Sequence, residues 1–419
     1  MSFISFTKFF LKGLQRNFKI IRYGDVPEIY NSTAVLERYS FATPGVTGYL
    51  LSIREIGRHL LRKGLKFYKM PNSPFIYCGG SSNNEREFYF FSHLMKDFLS
   101  ANGYRRDENL SFVDTKMIRK TGFEYIVSVY LFILCLLYLF RIKLGPVSLK
   151  YLVAYVKIFL SLYVSTRRQG IGKRVLVVAN DHTDFPVVSS MIMQYWGNPV
   201  VYVQHAEVSY LFPPLDFDVS VLRNQKTLDV YREIGKITGD SYIIPRQEVT
   251  ECLYSIFEVI SEDCHVVIYL SSVFDYYYLK VCIDELKKNE RIASVGVKPH
   301  PRIDRGFLNS LEEVIVYDSI PSFKHVALVP NSSVVIELLE LGNPVFQYFE
   351  LDNIGRDYYG FVKEEITPEV SLNHLSQPFW ELEFYDEGWL SKFSAYSPSV
   401  NESWRKDLAR LVCKMKSYM

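Results

Sequence analysis

The sequence predicts an α/β protein with two domains, each built on a parallel sheet that is covered by helices. The chain has 419 residues, which suits two domains better than one. Hydrophobic residues make up 48% of the chain and charged residues 22%, so a sizeable core can be buried. Short apolar runs alternate with helical patterns, as expected for parallel strands that are buried on both faces.

Ten apolar runs are predicted strands, and helical stretches such as Tyr276–Lys288 and Ser333–Leu341 lie between most of them. The predicted strands are Phe75–Cys78, Leu110–Val113, Val175–Ala179, Val200–Gln204, Val219–Leu222, Val266–Leu270, Ser294–Lys298, Val314–Tyr317, Ala327–Val329 and Val345–Tyr348. A boundary near Pro245–Thr250 separates a first domain, residues 1–247, from a second domain, residues 248–400. Residues 401–419 form a basic helix candidate that can return to the first domain.

Composition and motif searches exclude several classes of function. The net charge of +2 gives no support for nucleic-acid binding. Six cysteines are scattered without metal-binding or disulfide spacing, which is typical of a reduced intracellular protein. No pattern such as HExxH, GxxxxGK[ST] or GxSxG is present, so we expect neither a bound metal nor a resident cofactor.

Local charge indicates a membrane surface as a partner. Residues 125–180 contain eight lysines and arginines and no acid, and Ile126–Phe140 is almost wholly apolar. That run is short for a span, which needs about 20 residues. We expect basic, apolar helices over about residues 125–165 to contact an anionic membrane, with Lys150, Lys157 and Ser161 on a polar stripe. The alternatives are two buried helices and a transmembrane hairpin.

The segment Lys298-Pro299-His300-Pro301-Arg302 follows a predicted strand. Two prolines restrict the backbone around a histidine and keep it out of regular secondary structure. An imidazole held beside a lysine and an arginine can donate charge-assisted hydrogen bonds to a phosphate. The alternative is an ordinary surface turn after a strand.

A second segment, Asn331-Ser332-Ser333, lies between a predicted strand and a predicted helix. Backbone N–H groups and hydroxyls at a helix start can bind a phosphate, although the same residues also serve as helix caps. Glu337 lies one turn further along this helix, where its carboxylate could accept hydrogen bonds from both ribose hydroxyls. Together the two segments predict a site for an activated phosphate.

Two histidines follow predicted strands in the first domain. Asp181 and His182 come after Val175–Ala179, and His205 comes after Val200–Gln204. Because the carboxyl ends of parallel strands meet at one sheet edge, we expect these side chains to face the phosphate site. Asp181 or His182 is predicted to be a general base, and His205 could be the base or contact the donor.

The residues NDHTDFP, VVYVQHAEVSYLFPPLDFDVSVL, KPHPR and PNSSVVIELLELGNPVFQY carry a resemblance to a known family. They resemble the surface-carbohydrate (capsule and lipopolysaccharide) biosynthesis proteins of bacteria, over roughly Val175 to Phe361. This resemblance implies the glycosyltransferase architecture called GT-B, in which two Rossmann-like domains face a central cleft. With the basic, apolar stretch over residues 125–180, the expected location is peripheral, at the cytoplasmic face of the inner membrane.

The KPHP and NSS segments also resemble the HP and Ser motifs of bacterial sialyltransferases, Kdo transferases and CDP-glycerol polymerases. In those groups the histidine and the hydroxyls contact the phosphate of a cytidine nucleotide, which implies this role for His300, Ser332 and Ser333. Two features depart from the pattern. The usual Gln-His-Gly motif reads Gln204-His205-Ala206 here, with alanine in place of glycine. The acidic base motif of sialyltransferases is missing upstream of Lys298.

The resemblance implies an enzyme, a glycosyltransferase. The absence of a metal-binding pattern predicts transfer without a metal, and inversion of the anomeric centre is the simpler expectation because one general base is sufficient, with retention as the alternative. Its partners would be a nucleotide-sugar donor and a glycan or lipid-linked glycan acceptor. The preferred donor is a CMP-activated nonulosonic acid or a Kdo-like sugar. The alternatives are a CDP-polyol phosphotransferase of similar fold and a non-catalytic subunit of a polysaccharide assembly complex.

Overall fold

The structure is a computed structural model of the chain. It describes residues 3–24, 45–71, 73–79, 82–101, 113–141, 146–181, 184–210, 212–246, 251–258, 264–271, 273–301, 303, 306, 308, 311, 313–352, 355–397 and 403–418, apart from a few side chains at the ends of these ranges. Two five-stranded sheets and the helices around them form the framework of this part of the chain.

The first domain contains a parallel sheet and a layer of helices. Its helices are α1 (Phe3–Gly24), α2 (Gly45–Leu61), α3 (Ser82–Leu94), α4 (Lys96–Ala101), α5 (Gly122–Arg141), α6 (Pro146–Gln169), α7 (Asp184–Tyr195) and α8 (Gln225–Ile234). Its strands are β1 (Gly64–Lys69), β2 (Phe75–Cys78), β3 (Val113–Arg119), β4 (Val175–Val178), β5 (Val200–Val203), β6 (Asp216–Leu222) and β7 (Thr238–Ile243).

The sheet of the first domain has the strand order β2-β4-β5-β6-β7, and every neighbouring pair is parallel. Strands β2, β4 and β5 are buried along their whole length, which explains their continuous apolar sequences. Helix α7 connects β4 to β5, and α8 connects β6 to β7. The loops after β4, β5 and β6 therefore leave the sheet at one edge.

The second domain repeats this plan. Its elements are β8 (Cys264–Tyr269), α9 (Tyr276–Leu286), β9 (Ile292–Lys298), β10 (Ile315–Val316), β11 (Val326–Val329), α10 (Val334–Glu340), β12 (Val345–Gln347), α11 (Leu372–Leu375), α12 (Glu387–Phe393) and, at the end of the chain, α13 (Trp404–Tyr418). The parallel sheet has the order β10-β9-β8-β11-β12. Its central strands β8 and β11 end beside each other.

The two sheets confirm the predicted fold class, two Rossmann-like domains in the GT-B arrangement. Nine predicted strands coincide with observed strands to within three residues at each end. In the tenth, residues 110–112 lie outside the described part, and Val113 begins β3, which pairs antiparallel with β1. Strands β1 and β7 were not predicted. Strand β7 reads Thr-Gly-Asp-Ser-Tyr-Ile and lies at a sheet edge, mostly exposed, so it lacks an apolar run.

Helix α6 lies in the core, which corrects the sequence-based interpretation of residues 146–169 as a membrane-contacting helix. Its side chains from Leu152 to Val164 are mostly buried against α1, α2 and α7. Lys157, predicted for the polar stripe, forms an ion pair with Glu55 of α2 at 3.3 Å. Ser161 is buried. The alternative of a buried helix is the correct one here, because the apolar side chains of α6 pack against other helices and the half-buried Lys157 is paired with Glu55 of a neighbouring helix.

Helix α5 behaves differently from α6. Among the helices that the structure describes, α5 is long and apolar enough to cross a membrane, over Gly122–Leu139. A third (33%) of these residues are buried within the protein. One face packs on the first domain through Val127, Leu131 and Cys135. The opposite face leaves a stripe of large apolar side chains exposed, namely Phe123, Ile126, Val129, Ile133 and Leu137.

The two domains are joined by more than the chain between them. Helix α13 contacts β7 of the first sheet, where Leu411 and Met415 are buried in the core below that sheet. Asp407 accepts a hydrogen bond from the backbone N–H of Ile243 at 2.9 Å. Lys226 of α8 forms an ion pair with Glu364 of the second domain. These contacts hold the carboxyl edges of the two sheets toward each other.

Candidate functional site

A cavity of about 310 Å³ lies between the domains, at the carboxyl edges of the two sheets. Pockets of this size hold small ligands in other proteins. Seven residues predicted from the sequence line it: His205 from the first domain and Lys298, His300, Pro301, Ser332, Ser333 and Glu337 from the second domain. They come from loops that are far apart in the chain, and the fold brings them to one place.

Lys298 and His300 lie at the end of a central strand. Lys298 is the last residue of β9 and pairs in register with Tyr269 at the end of β8. The backbone N–H of Leu270 donates to the carbonyl oxygen of Lys298 at 3.0 Å, and the carbonyl oxygen of His300 accepts from Ile303 at 3.0 Å. These bonds fix a turn that presents His300 to the cavity. Arg302, the last predicted residue of this segment, lies outside the described residues.

The start of α10 forms a second part of the same wall. Ser333 occupies the cap position, yet its side chain makes no capping hydrogen bond. The hydroxyl oxygen of Ser332 instead accepts from the backbone N–H of Val334 at 3.4 Å. Ser333 and Glu337 both line the cavity, one turn apart on one face of the helix. The hydroxyl of Ser333 therefore has a position that suits a ligand better than a cap.

Asn331 is placed behind the wall. It is buried, and its backbone and side-chain N–H groups donate to the carboxylate of Asp352 at 3.2 and 3.3 Å. Its side-chain oxygen accepts from the backbone N–H of Tyr358 at 2.8 Å. Asn331 is not among the residues that line the cavity. The structure thus gives it a positioning role for the loop that carries the two serines.

His205 follows β5 on the opposite wall, and its loop is tightly bonded. The side chain of Gln204 accepts from the backbone N–H of Arg223 at 2.7 Å and donates to the carbonyl oxygen of Ala206 at 2.8 Å. Arg223 also donates to the carbonyl oxygen of His205 at 2.6 Å. These hydrogen bonds hold the turn, although Ala206 stands at the position where glycine is usual.

Asp181 does not lie where the sequence predicted it. Its side chain is only 2% exposed, and its carboxylate accepts a hydrogen bond from the hydroxyl of Tyr231 on α8 at 2.7 Å. Burial and this carboxylate raise the pKa of Tyr231 well above its usual value, so the proton stays on the phenol. Asp181 is therefore a poor general base for a ligand in the cavity. His182 lies outside the described residues.

Two arginines on the first domain complete the cavity and were missed by the sequence analysis. Arg86 lies on α3 and Arg223 directly follows β6, and both line the cavity beside His205. Glu87 is 1% exposed and forms ion pairs with Arg86 at 3.3 Å and with Arg223 at 3.0 Å. No motif marks these positions.

A smaller cavity of about 40 Å³ adjoins the first through Arg223, Ser333 and Glu337. Besides Glu337, two more carboxylates line it, Glu207 from the first domain and Glu340 from the second. Burial raises the pKa of Glu207, and it raises the pKa of Glu340 to about 7. The hydroxyl of Ser397 donates to Glu340 at 2.9 Å. The carboxyl of Glu340, at the contact between the domains, therefore keeps its proton to a higher pH than an exposed carboxyl does.

Within the described residues, no group of three or more His, Cys, Asp or Glu side chains is arranged to hold a metal ion. The cysteines described are free, and all but Cys413 are buried. The larger cavity is lined by imidazoles, cations, hydroxyls and two carboxylates, those of Asp318 and Glu337.

Comparison with known proteins gives only distant likenesses. No protein-family model matches the chain, and no curated protein matches it. Among solved structures, the calicheamicin glycosyltransferase is 10% identical, with a TM-score of 0.47, and covers 82% of this chain and 97% of its own. MurG of Acinetobacter baumannii is 8% identical (TM-score 0.43; 82% and 99% covered). The wall teichoic acid polymerase TagF is 11% identical (TM-score 0.41; 89% and 96% covered). At these scores the fold assignment depends on the two sheets themselves.

The carboxyl of Glu340 predicts a pH dependence of stability. Its pKa in the folded protein, about 7, exceeds the ordinary 4.5, so the folded state binds this proton more tightly. The contribution of Glu340 to stability is complete below pH 4.5 and is lost as the pH rises through about 7. We therefore expect the Glu340→Gln variant to gain in unfolding temperature, relative to the unmodified protein, between pH 5 and pH 8.

The measurement is thermal unfolding across that range, with Glu383→Gln, an exposed acid of the same domain, as the control. The control variant should keep a constant offset from the unmodified protein. An offset for Glu340→Gln that does not change with pH would contradict the raised pKa.

Proposed function

We propose that the chain is a glycosyltransferase that works in the cavity between its domains. The observation that carries this proposal is the placement of His205 on one wall and of Lys298, His300, Ser333 and Glu337 on the other. A base opposite a phosphate-binding wall is the arrangement that sugar transfer from an activated donor requires.

The second domain would bind the nucleotide donor. Lys298 and His300 would stabilise the charge on the departing phosphate, and the hydroxyls of Ser332 and Ser333 would donate hydrogen bonds to its oxygens. Glu337 would accept the ribose hydroxyls. These donors stay in place as charge develops, because each belongs to a strand end or helix start that the sheet already fixes.

The first domain would bind the acceptor and supply the base. The imidazole of His205 removes the proton from an acceptor hydroxyl, whose oxygen attacks the anomeric carbon. The bond between that carbon and the phosphate oxygen breaks, and the phosphate leaves with the electron pair. One base acting on one displacement inverts the anomeric centre. His205 takes this role in preference to Asp181, because Asp181 is buried and already bonded to Tyr231.

For the donor, we propose a CMP-activated nonulosonic acid or a Kdo-like sugar, used in capsule or lipopolysaccharide synthesis without a metal. The support is the resemblance of the His300 and Ser332–Ser333 segments to cytidine-nucleotide sites, together with their position on one wall. The acceptor would be a glycan or a lipid-linked glycan. A CDP-polyol phosphotransferase would bind its donor on the same wall but break a P–O bond. A non-catalytic subunit would break neither the anomeric C–O bond nor a P–O bond.

The assignment of His205 predicts a contrast between two variants. We expect His205→Asn to lower kcat/KM by about 100-fold or more, the usual loss for a general base. Asp181→Asn keeps an acceptor for the Tyr231 hydroxyl and should stay within about tenfold of the unmodified enzyme. The assay is release of CMP from CMP-N-acetylneuraminate and, separately, from CDP-glycerol. An inactive Asp181→Asn beside an active His205→Asn would reverse the assignment.

The donor wall predicts that nucleotides stabilise the protein. A ligand at 100 times its Kd adds about 2.7 kcal/mol to the free energy of unfolding. We expect CMP to raise the unfolding temperature, and His300→Ala to remove most of this rise while its circular dichroism spectrum is unchanged. His93→Ala, an exposed histidine outside the cavity, is the control. No rise with CMP, CDP or UDP would favour the non-catalytic subunit.

We also propose that the protein is peripheral at the cytoplasmic face of an anionic membrane, with α5 as the contact. Its exposed stripe includes Ile126, which is 65% exposed, and Ile133 one to two turns away. Val46 and Leu50 of the adjacent helix α2 are also exposed apolar residues. Arg54 and Arg58 of α2 lie further along that helix, and cations beside an apolar stripe suit the surface of an anionic bilayer.

This surface predicts the outcome of liposome flotation. The protein should float with phosphatidylglycerol vesicles, and the double variant Ile126→Glu/Ile133→Glu should lose most of this binding, because two charges would have to enter the apolar boundary. Both positions are exposed, so the fold should persist. The control is Leu382→Glu, an exposed leucine of the second domain. Equal flotation of all three proteins would contradict membrane contact through α5.

A further inference from the structure

We propose that the wall of the first domain is a second anion-binding site, so that the substrate carries two anionic groups across the cavity. This inference rests on the proposed function, in which Lys298 and His300 bind the first anion. The second would be bound by Arg86 and Arg223. A second anion-binding site would select one class of donor, a nucleotide that carries either a second phosphate or a carboxylate on the transferred sugar.

The first-domain wall presents two arginines, Arg86 and Arg223, to the larger cavity. Three guanidinium groups, those of Arg86, Arg223 and Arg246, pair with one carboxylate oxygen, Oε1 of Glu87. Glu87 is buried behind them, and burial outweighs the arginines, so its pKa rises to about 6. One carboxylate oxygen is thus shared by three cations, and Glu207 and Glu340 act on Arg223 from the side of the smaller cavity.

Two other acids, Glu207 and Glu340, lie on the far side of this group, in the smaller cavity that Arg223 and Arg246 also line. Glu207 accepts hydrogen bonds from Asn224 at 3.1 and 3.2 Å and faces the smaller cavity. Glu340 also faces that cavity and is partly protonated near neutral pH, since its pKa is about 7. The acids that line the larger cavity, Asp318 and Glu337, both belong to the second domain. The ionic side chains that the first domain presents to the larger cavity are therefore cationic.

The arginines also have unused hydrogen-bonding capacity. The Nε atoms of Arg223 and Arg246 are buried and have no hydrogen-bond partner within the described structure. Arg223 lines the larger cavity, so an anion bound there would lie next to a side chain that has a donor without a partner. Arg86 is 45% exposed and lies on the cavity surface, so its guanidinium can bind an anion without a rearrangement of the core.

A forked guanidinium binds either a phosphate or a carboxylate through paired hydrogen bonds, so both chemistries fit. A diphosphate donor would place its second phosphate between the walls. A CMP-linked acidic sugar would place its carboxylate there. A neutral sugar on a monophosphate would leave the arginines unsatisfied, so the geometry disfavours that class.

The test measures Kd by calorimetry for four probes: CMP, CDP, CMP-N-acetylneuraminate and inorganic pyrophosphate. The variants are Arg86→Gln, whose partly exposed side chain makes it tolerant to substitution, Ser333→Ala on the opposite wall, and Arg232→Gln, an exposed arginine outside the cavity. We expect Arg86→Gln to bind CMP within about twofold of the unmodified protein. It should weaken CDP or CMP-N-acetylneuraminate by about tenfold or more, because a charged hydrogen bond contributes about 1.5–3 kcal/mol.

The identity of the ligand that weakens distinguishes a phosphate from a carboxylate. Equal losses for all nucleotides, or no loss, would overturn the second site while leaving the donor wall in place. Ser333→Ala should weaken the binding of all three nucleotides, including CMP. Arg86→Gln should leave CMP binding nearly unchanged, and this contrast distinguishes the two walls. If the protein binds no nucleotide, the proposed function fails. The second site is then tested by the Kd of pyrophosphate alone. Pyrophosphate binding that is absent, or unchanged in Arg86→Gln, overturns it.

Discussion

The active arrangement depends on the orientation of one sheet against the other, and this orientation is held by contacts between the domains. Helix α13 follows the second domain in sequence but buries Leu411 and Met415 in the core of the first. Lys226 of the first domain binds Glu364 of the second by an ion pair, and its backbone N–H donates to the carbonyl oxygen of Ala395 at 3.0 Å. Without these contacts the two cavity walls would belong to separate bodies, and no ligand could touch both.

The sequence was sufficient to predict most of the fold. Parallel strands such as β4 and β5 are buried on both faces, so their apolar runs are unmistakable and the helices between them complete the pattern. The edge strand β7 escaped prediction because its outer face is exposed and polar. Helix α6 was misread for the related reason that Lys157, which looks like a surface cation in the sequence, finds Glu55 across a helix contact.

The candidate site was predictable on one wall only. His300 and Ser333 lie in short segments that can be recognised in the sequence. His300 stands between two prolines, and Ser333 is one of two hydroxyl residues at the start of a helix. Arg86 and Glu87 have no such signature, since an Arg-Glu pair within a helix is typical of any solvated surface. Their importance comes from a long-range contact with Arg223. Asp181 shows the reverse case, because its partner Tyr231 lies 50 positions away and withdraws it from the cavity.

The return of α13 to the first sheet has a mechanical consequence. A chain that crosses once between two domains leaves a tether about which they can twist in several directions. Here the chain crosses twice, once before β8 and once before α13. Two connections restrict the relative rotation of the domains more than one does, because a twist about either connection is opposed by the other. Under any remaining movement each wall keeps its own register, because each wall belongs to a separate parallel sheet.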